Sequence, residues 1–248
     1  MVGKGPITAV QFYDASDSCP FAAKAWLTLL EKGIKFERHT VNLKDKPKYF
    51  TDLYASINPD PTARAKVPLL IDGDKHIVES NLVAEYLDYA YPDLGPKLFP
   101  TEPLKLFKVR WFVEMFSEKF SSSLFKLLEA NSASAAEEAK HVLDKGLKVL
   151  NDFVEQHGSC QDGNLFMGQY SFAEVATTPF VQRASVALLA LRGYSIEKAI
   201  QQQNLQRLGA WLQAVLDRPS NKETKPDDDS VKSQYAEHLG HFKGHISQ

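Results

Sequence analysis

Four prolines, Pro92, Pro96, Pro100 and Pro103, divide the chain into halves with different rhythms. Proline lacks an N–H and bars the residue before it from the helical conformation, so neither helix nor sheet runs through such a segment. Residues 93–103 are therefore read as a linker. On its N-terminal side, strand and helix signals alternate. ITAVQFY reads as a short strand. From Pro20 to Lys32, Ala23, Trp26, Leu27 and Leu30 recur at helical spacing, and Gly33 supplies a stop. FERHTVNL is a second strand candidate, with Val41 and Leu43 on one face, and a looser segment follows it. VPLLI and KHIV flank Asp72-Gly73-Asp74, a hairpin signal, and Leu82, Val83, Tyr86 and Leu87 return to helical spacing. A strand–helix–strand opening implies a parallel pair, to which the hairpin adds antiparallel strands.

Beyond the linker, strand signals vanish. Val109, Phe112, Val113, Phe116 and Phe120 form one helical stripe. Ser134-Ala-Ala-Glu137 reads as a capping box opening a helix with the stripe Leu143, Leu147, Leu150 and Val154, which Gly158 ends. A second box, Ser171-Phe-Ala-Glu174, opens a helix through about Leu191, and Leu205, Leu208, Leu212 and Leu216 make a last stripe. The expected organisation is α/β over 1–92, the linker, an all-helical domain over 104–220, and a polar tail over 221–248. The tail carries Asp227-Asp228-Asp229 and is expected to be mobile at least in part.

With 248 residues, 44% hydrophobic and 24% charged, the chain has a globular composition. A net charge of −2 gives no sign of a nucleic-acid-binding surface. Cys19 and Cys160 are too few and too far apart for a disulfide framework, and no Cys/His cluster has zinc spacing, so no metal is expected. These features, with no signal-peptide core and no run of membrane-spanning length, suggest the cytoplasm and no membrane partner.

The chemistry concentrates in DSCPFAAKAW, residues 17–26. Cys19 follows a strand and a short loop and opens a helix. Thiolate is the reactive form of cysteine, and the unpaired N–H groups and dipole of a helix N-terminus favour it. Pro20 suits the first helical turn, where its missing N–H costs nothing. The second-cysteine position of a CxxC motif is Ala22, so an internal dithiol cycle is not expected. On residue type and position alone, Cys19 is equally readable as a small buried hydrophobe.

Several separated motifs fall into one order: Cys19-Pro20-Phe21, then Val41-Asn-Leu-Lys-Asp-Lys-Pro47, Val67-Pro68, Glu79-Ser80, a proline-rich linker and a helical half with an S-x-x-E box. This arrangement resembles the glutathione transferase superfamily, in particular its omega class and the related lambda and dehydroascorbate-reductase types. The resemblance implies a thioredoxin-like N-terminal domain followed by a helical glutathione-transferase C-terminal domain. It implies glutathione as co-substrate and a small-molecule or glutathionylated second substrate. It implies a homodimer as well. Residue by residue, Cys19 matches the catalytic cysteine that forms a mixed disulfide with glutathione. Phe21 matches the residue flanking the glutathione cysteine, and Lys46 the lysine approaching its glycine carboxylate. Val67 and Pro68 match a cis-proline turn that pairs with the glutathione backbone as an added strand. Glu79 and Ser80 match the pair holding the γ-glutamyl end, where helix N–H groups suit a carboxylate and Glu79 suits the ammonium. For the second substrate, Phe112, Phe116, Phe180 and Arg183 are candidate lining residues.

The implied activity is glutathione-dependent thiol transfer or reduction through Cys19, of deglutathionylation or dehydroascorbate type. Two rivals stay open. One is a conjugating transferase using a hydroxyl, for which Tyr13, Ser16 and Ser18 lie nearby. The other is a non-catalytic, ligand-binding member. The segment before Val67 is longer than the family's usual loop, and Lys66 or Arg64 could add a charge there.

Overall fold

The computed structural model describes residues 9–15, 19–159 and 163–246, which fall into two compact units, 1–96 and 97–248. In the first, β1 (Val10–Asp14), α1 (Pro20–Lys32), β2 (Phe36–Thr40), α2 (Lys48–Ile57), β3 (Leu69–Asp72), β4 (Lys75–Val78) and α3 (Ser80–Ala90) follow one another. The sheet order is β2-β1-β3-β4. β1 and β2 are parallel, with Phe12 opposite Arg38. β3 runs antiparallel to both β1 and β4, with Leu70 opposite Phe12 on one side and Ile77 on the other. A mixed sheet of this kind is the thioredoxin-like arrangement. Its first three elements form the crossover that joins parallel strands, and Gly73 in the left-handed region, φ 65°, closes the β3–β4 hairpin.

Phe12, Leu29, Phe50, Leu69, Leu70, Val83 and Leu87 form the buried centre of this unit. α1 stops at Gly33, whose φ of 63° lets its N–H bond back onto the last turn. Two contacts lock α1 beside α3. At their first turns, the Lys24 ammonium donates to Asn81 Oδ1 at 3.0 Å. At their last turns, Lys32 Nζ lies 2.9 Å from Asp88 Oδ1, with both side chains fully buried. Lys32 also donates to the Pro96 carbonyl at 3.3 Å. Gly95, with φ 57°, brings the chain so close to α1 that a Cβ there would meet the Glu31 carbonyl at 2.3 Å. The helices whose N-termini carry Cys19 and Ser80 are thus held in register at both ends.

Two readings change in this unit. The looser segment after the second strand contains α2, whose buried face is Phe50 and Tyr54, one turn apart. The strand itself ends at Thr40. Val41 is buried, as a strand continuation requires, but Leu43 is 42% exposed and does not share its face.

The second unit contains helices and no strand among its described residues. It comprises α4 (Pro103–Phe116), a π-helical segment Ser117–Ser121, α5 (Ser122–Glu129), α6 (Ala133–His157), α7 (Phe172–Arg192), α8 (Ile196–Gln202), α9 (Gln206–Asp217), α10 (Pro219–Glu223) and α11 (Asp228–Ile246). The Ser171–Glu174 capping box is present. Glu174 is fully buried and accepts from the N–H groups of Phe166 and Ser171, the Ser171 hydroxyl and the Trp211 indole. Burial pushes its carboxyl up, against the pull of these donors.

The Ser134–Glu137 box is replaced by an earlier start. Ser132 caps α6 by accepting from the Ala135 N–H, and Glu137 pairs with Lys140 instead. The polar tail includes α11. Asp227 accepts from the Ser230 N–H at 2.8 Å, and Asp228 and Asp229 complement the helix dipole. Val231 and Tyr235, one turn apart, are buried on that helix. The acidic run that suggested solvation is a helix start.

Candidate active site

A cleft of about 360 Å³ opens in the first unit. Its walls bring together Cys19, Phe21, Lys46, Val67, Pro68, Glu79 and Ser80, all the residues of this domain to which the resemblance gives a role. Cys19 occupies the N-cap position of α1 in extended backbone, φ −77° and ψ 112°, with Pro20 in the first turn. Its carbonyl accepts from the Ala23 N–H at 3.1 Å, while its side chain caps nothing. The residue is half-buried, packs beside the core and lines the cleft. Phe21, 51% exposed, forms the adjacent wall.

Opposite, the Val67–Pro68 peptide bond is cis and leads directly into β3. Glu79 sits between β4 and α3 with φ 69°, a conformation rare for a residue with a side chain. It is the N-cap residue of α3, and its carbonyl accepts from the Val83 N–H at 2.8 Å. No side chain caps α3, so its first-turn N–H groups are left to the cleft that Ser80 lines. A helix start of this kind is an anion site. Among the described lining residues, Lys46 and Lys66 supply the positive charge and Glu79 the negative. A zwitterionic, peptide-sized ligand matches that layout.

Beneath Phe21, the Lys24 ammonium lies 5.6 Å from the ring centroid. Burial lowers its pKa to about 8 from 10.5. Between those values the unfolded chain holds a proton that the folded chain does not, so this lysine makes stability rise with pH across that window. Below it, the buried charge costs up to about 3 kcal/mol, at about 1.4 kcal/mol per pH unit. Lys24→Met is expected to be more stable than the wild type at neutral pH, by that amount less the bond to Asn81. The advantage fades as pH approaches 10.5. Urea midpoints of both proteins across this range check it, and a pH-independent difference would contradict it.

The cleft also takes in Leu43, which lies within the 41–47 motif but was given no role there, and three residues the motif order did not mark: Tyr54, Ala65 and Val78. Lys66, considered for its charge, is among its walls, and Arg64 is not. The signal for Tyr54 was its spacing from Phe50. Of the hydroxyl rivals, Tyr13 is buried outside the cleft lining, stacks on His39 at 4.7 Å between centroids, and donates to Gln11 Oε1 at 3.2 Å. Burial, then Tyr49 and Glu37, raise its pKa. Ser16, Ser18 and Cys160 lie outside the described residues.

The candidates for the second substrate sit differently. Phe112 has no exposed surface; it stacks on Phe166 at 4.6 Å and meets Trp211 edge-on at 5.5 Å. Phe116 is 4% exposed, and Arg183 is fully buried with Nη1 donating to the Pro179 carbonyl at 2.9 Å. These three belong to the core of the second unit, because the stripe that flagged Phe112 and Phe116 is the inward face of α4. Phe180 is half-buried. The outward face of α4 instead carries Leu104, Phe107 and Trp111, spaced by one and two turns.

A thiol at a helix start, a cis-proline loop and a carboxylate–serine pair in one cleft of a mixed four-stranded sheet, on a chain with a further all-helical unit, define a thioredoxin-like transferase architecture. The family profile of the glutathione S-transferase N-terminal domain matches residues 18–90. Protein IN2-1 of Zea mays is 32% identical over 184 residues, covering 72% of this chain and 67% of that protein. Glutathione S-transferase L2, chloroplastic, of Arabidopsis thaliana is 26% identical over 234 residues, covering 91% of this chain and 72% of that protein. The crystal structure of glutathione transferase Omega 3C from Trametes versicolor superimposes with a TM-score of 0.75 at 26% identity, covering 96% of this chain and 94% of that one. The chain belongs to the glutathione transferase superfamily.

Proposed function

We propose that the protein is a glutathione-dependent thiol transferase and reductase that works through a disulfide between Cys19 and glutathione. The observation that carries this reading is the placement of Cys19 at the N-terminus of α1, in the same cleft as Phe21, Lys46, Val67, Pro68, Glu79 and Ser80. In the first step, Cys19 thiolate attacks the glutathione sulfur of a mixed disulfide R–S–S–G. A Cys19–glutathione disulfide forms, and R–S⁻ leaves and takes a proton from solvent. A second glutathione, as thiolate, attacks the glutathione sulfur of that disulfide. Oxidised glutathione leaves and Cys19 thiolate is restored. With dehydroascorbate as oxidant, Cys19 thiolate and one glutathione thiol give up two electrons and one proton, yielding the ascorbate monoanion and the same enzyme disulfide.

The cleft supplies the binding half of this cycle. Glu79 pairs with the γ-glutamyl ammonium, while Ser80 and the α3 N–H groups take its carboxylate. Lys46 takes the glycine carboxylate, and the backbone of Val67 pairs with the cysteine residue. Phe21 covers the sulfur beside Cys19. The test is release of glutathione from a glutathionylated peptide, followed alongside conjugation of an aromatic halide. Transfer with weak conjugation is the expected result. Conjugation without transfer would favour the hydroxyl-type rival, and no detectable glutathione binding would favour the ligand-binding one.

A further inference from the structure

Tyr54 stands out in the cleft for what its hydroxyl lacks. The residue is 3% exposed, lines the cleft, and belongs to the core cluster of the first unit. No hydrogen bond to its hydroxyl exists among the described residues, and that oxygen is not among the fully enclosed polar atoms left unsatisfied. A buried tyrosine ordinarily gives its O–H a partner, because leaving the group unmet is costly. One turn earlier on the same face of α2, Phe50 is completely buried and contributes only its ring. Packing alone is therefore met by phenylalanine on this face. The Tyr54 oxygen is unused by the fold and opens on the cleft.

We propose that Tyr54 is a specificity residue: its hydroxyl donates to the C-terminal carboxylate of the bound thiol peptide, together with Lys46 and Lys66. This rests on the glutathione reading given above. The charge layout selects the atom. Glu79 stands at the α3 wall, where it suits an ammonium, and the positive side chains come from the segments flanking α2. Lys46 lies two residues before the start of α2, and Lys66 three residues before β3, in the loop that follows α2. A carboxylate held there meets two cations, and the Tyr54 O–H adds a neutral donor carried on a buried ring. A lysine holds negative charge without much regard to geometry. The tyrosine adds discrimination between a free carboxylate and an ester or amide of similar shape.

The experiment is calorimetric binding of glutathione and of its glycine monoethyl ester to the wild type and to Tyr54→Phe. Thermal unfolding of both proteins controls for stability. The variant keeps the ring, so its core packing is retained. Removal of a hydrogen bond to a charged group is expected to weaken glutathione binding roughly tenfold or more. On the ester, wild type and variant are expected to bind alike. Equal glutathione affinity in both proteins, with binding retained, overturns the role of Tyr54 and leaves the glutathione reading standing. A tenfold loss that persists on the ester overturns the carboxylate assignment. A wild type that binds no glutathione overturns both readings together.

Discussion

Cys19→Ser is expected to reduce glutathione-dependent thiol transfer by on the order of 10³-fold or more, the scale on which loss of a covalent nucleophile acts. Serine fills nearly the same volume and is itself a favoured N-cap residue, so α1 is expected to start as before. The hydroxyl cannot form the disulfide on which the cycle depends. The rest of the cleft is untouched, so glutathione affinity is expected to change little. That separates two kinds of loss: rate without binding for Cys19→Ser, and binding with less effect on rate for Tyr54→Phe. Unchanged thiol transfer in Cys19→Ser would remove the proposed nucleophile. Conjugation of an aromatic halide that rises in this variant would point to a serine-type transferase chemistry latent in the same cleft.

The second large effect lies away from the chemistry. Asp88→Ala is expected to destabilise the protein by about 3–5 kcal/mol, the usual cost of removing one partner of a buried ion pair. Lys32 and Asp88 have no exposed side-chain surface, so the remaining ammonium would keep the Pro96 carbonyl in place of a charge. Against a total stability of about 5–15 kcal/mol, this is a large share. Replacing both, as Lys32→Met with Asp88→Leu, is expected to come back to within about 1 kcal/mol of the wild type, because apolar pairs of similar volume often match buried ion pairs. Urea unfolding of the three proteins measures it. A single variant that loses less than about 1 kcal/mol would contradict the role given to the pair. The prediction matters for the cleft because this pair fixes the far ends of α1 and α3, whose near ends carry Cys19 and Ser80.

Much of the cleft is legible in the sequence because its parts are tied to punctuation in the chain. Pro20 and Gly33 bracket α1, so Cys19 falls at a helix start from sequence alone. The Gly73 turn sets the hairpin, which in turn places Val67-Pro68 before one strand and Glu79-Ser80 after the next. Side chains that depend on tertiary packing were harder. Tyr54 belongs to a helix with a non-capping Pro47 before it and no glycine stop after it, so α2 read as a loose segment. Phe112 and Phe116 read as pocket residues because an aromatic stripe marks a face without saying what covers it; the face turned out to be the core. The helix within the tail was missed for a related reason. Acidic residues suit both a solvated tail and the first turn of a helix, and only the burial of Val231 and Tyr235 separates the two.

The most direct test of the central claim is the intact mass of the protein after incubation with oxidised glutathione, followed by peptide mapping. Cys19 thiolate should attack one sulfur of the oxidised peptide, retain one glutathione as a disulfide and release the other as glutathione thiolate. The account predicts a single adduct, mapped to Cys19 and removed by reduced glutathione. An adduct on Cys160 with Cys19 left free, or no adduct at all, would contradict it.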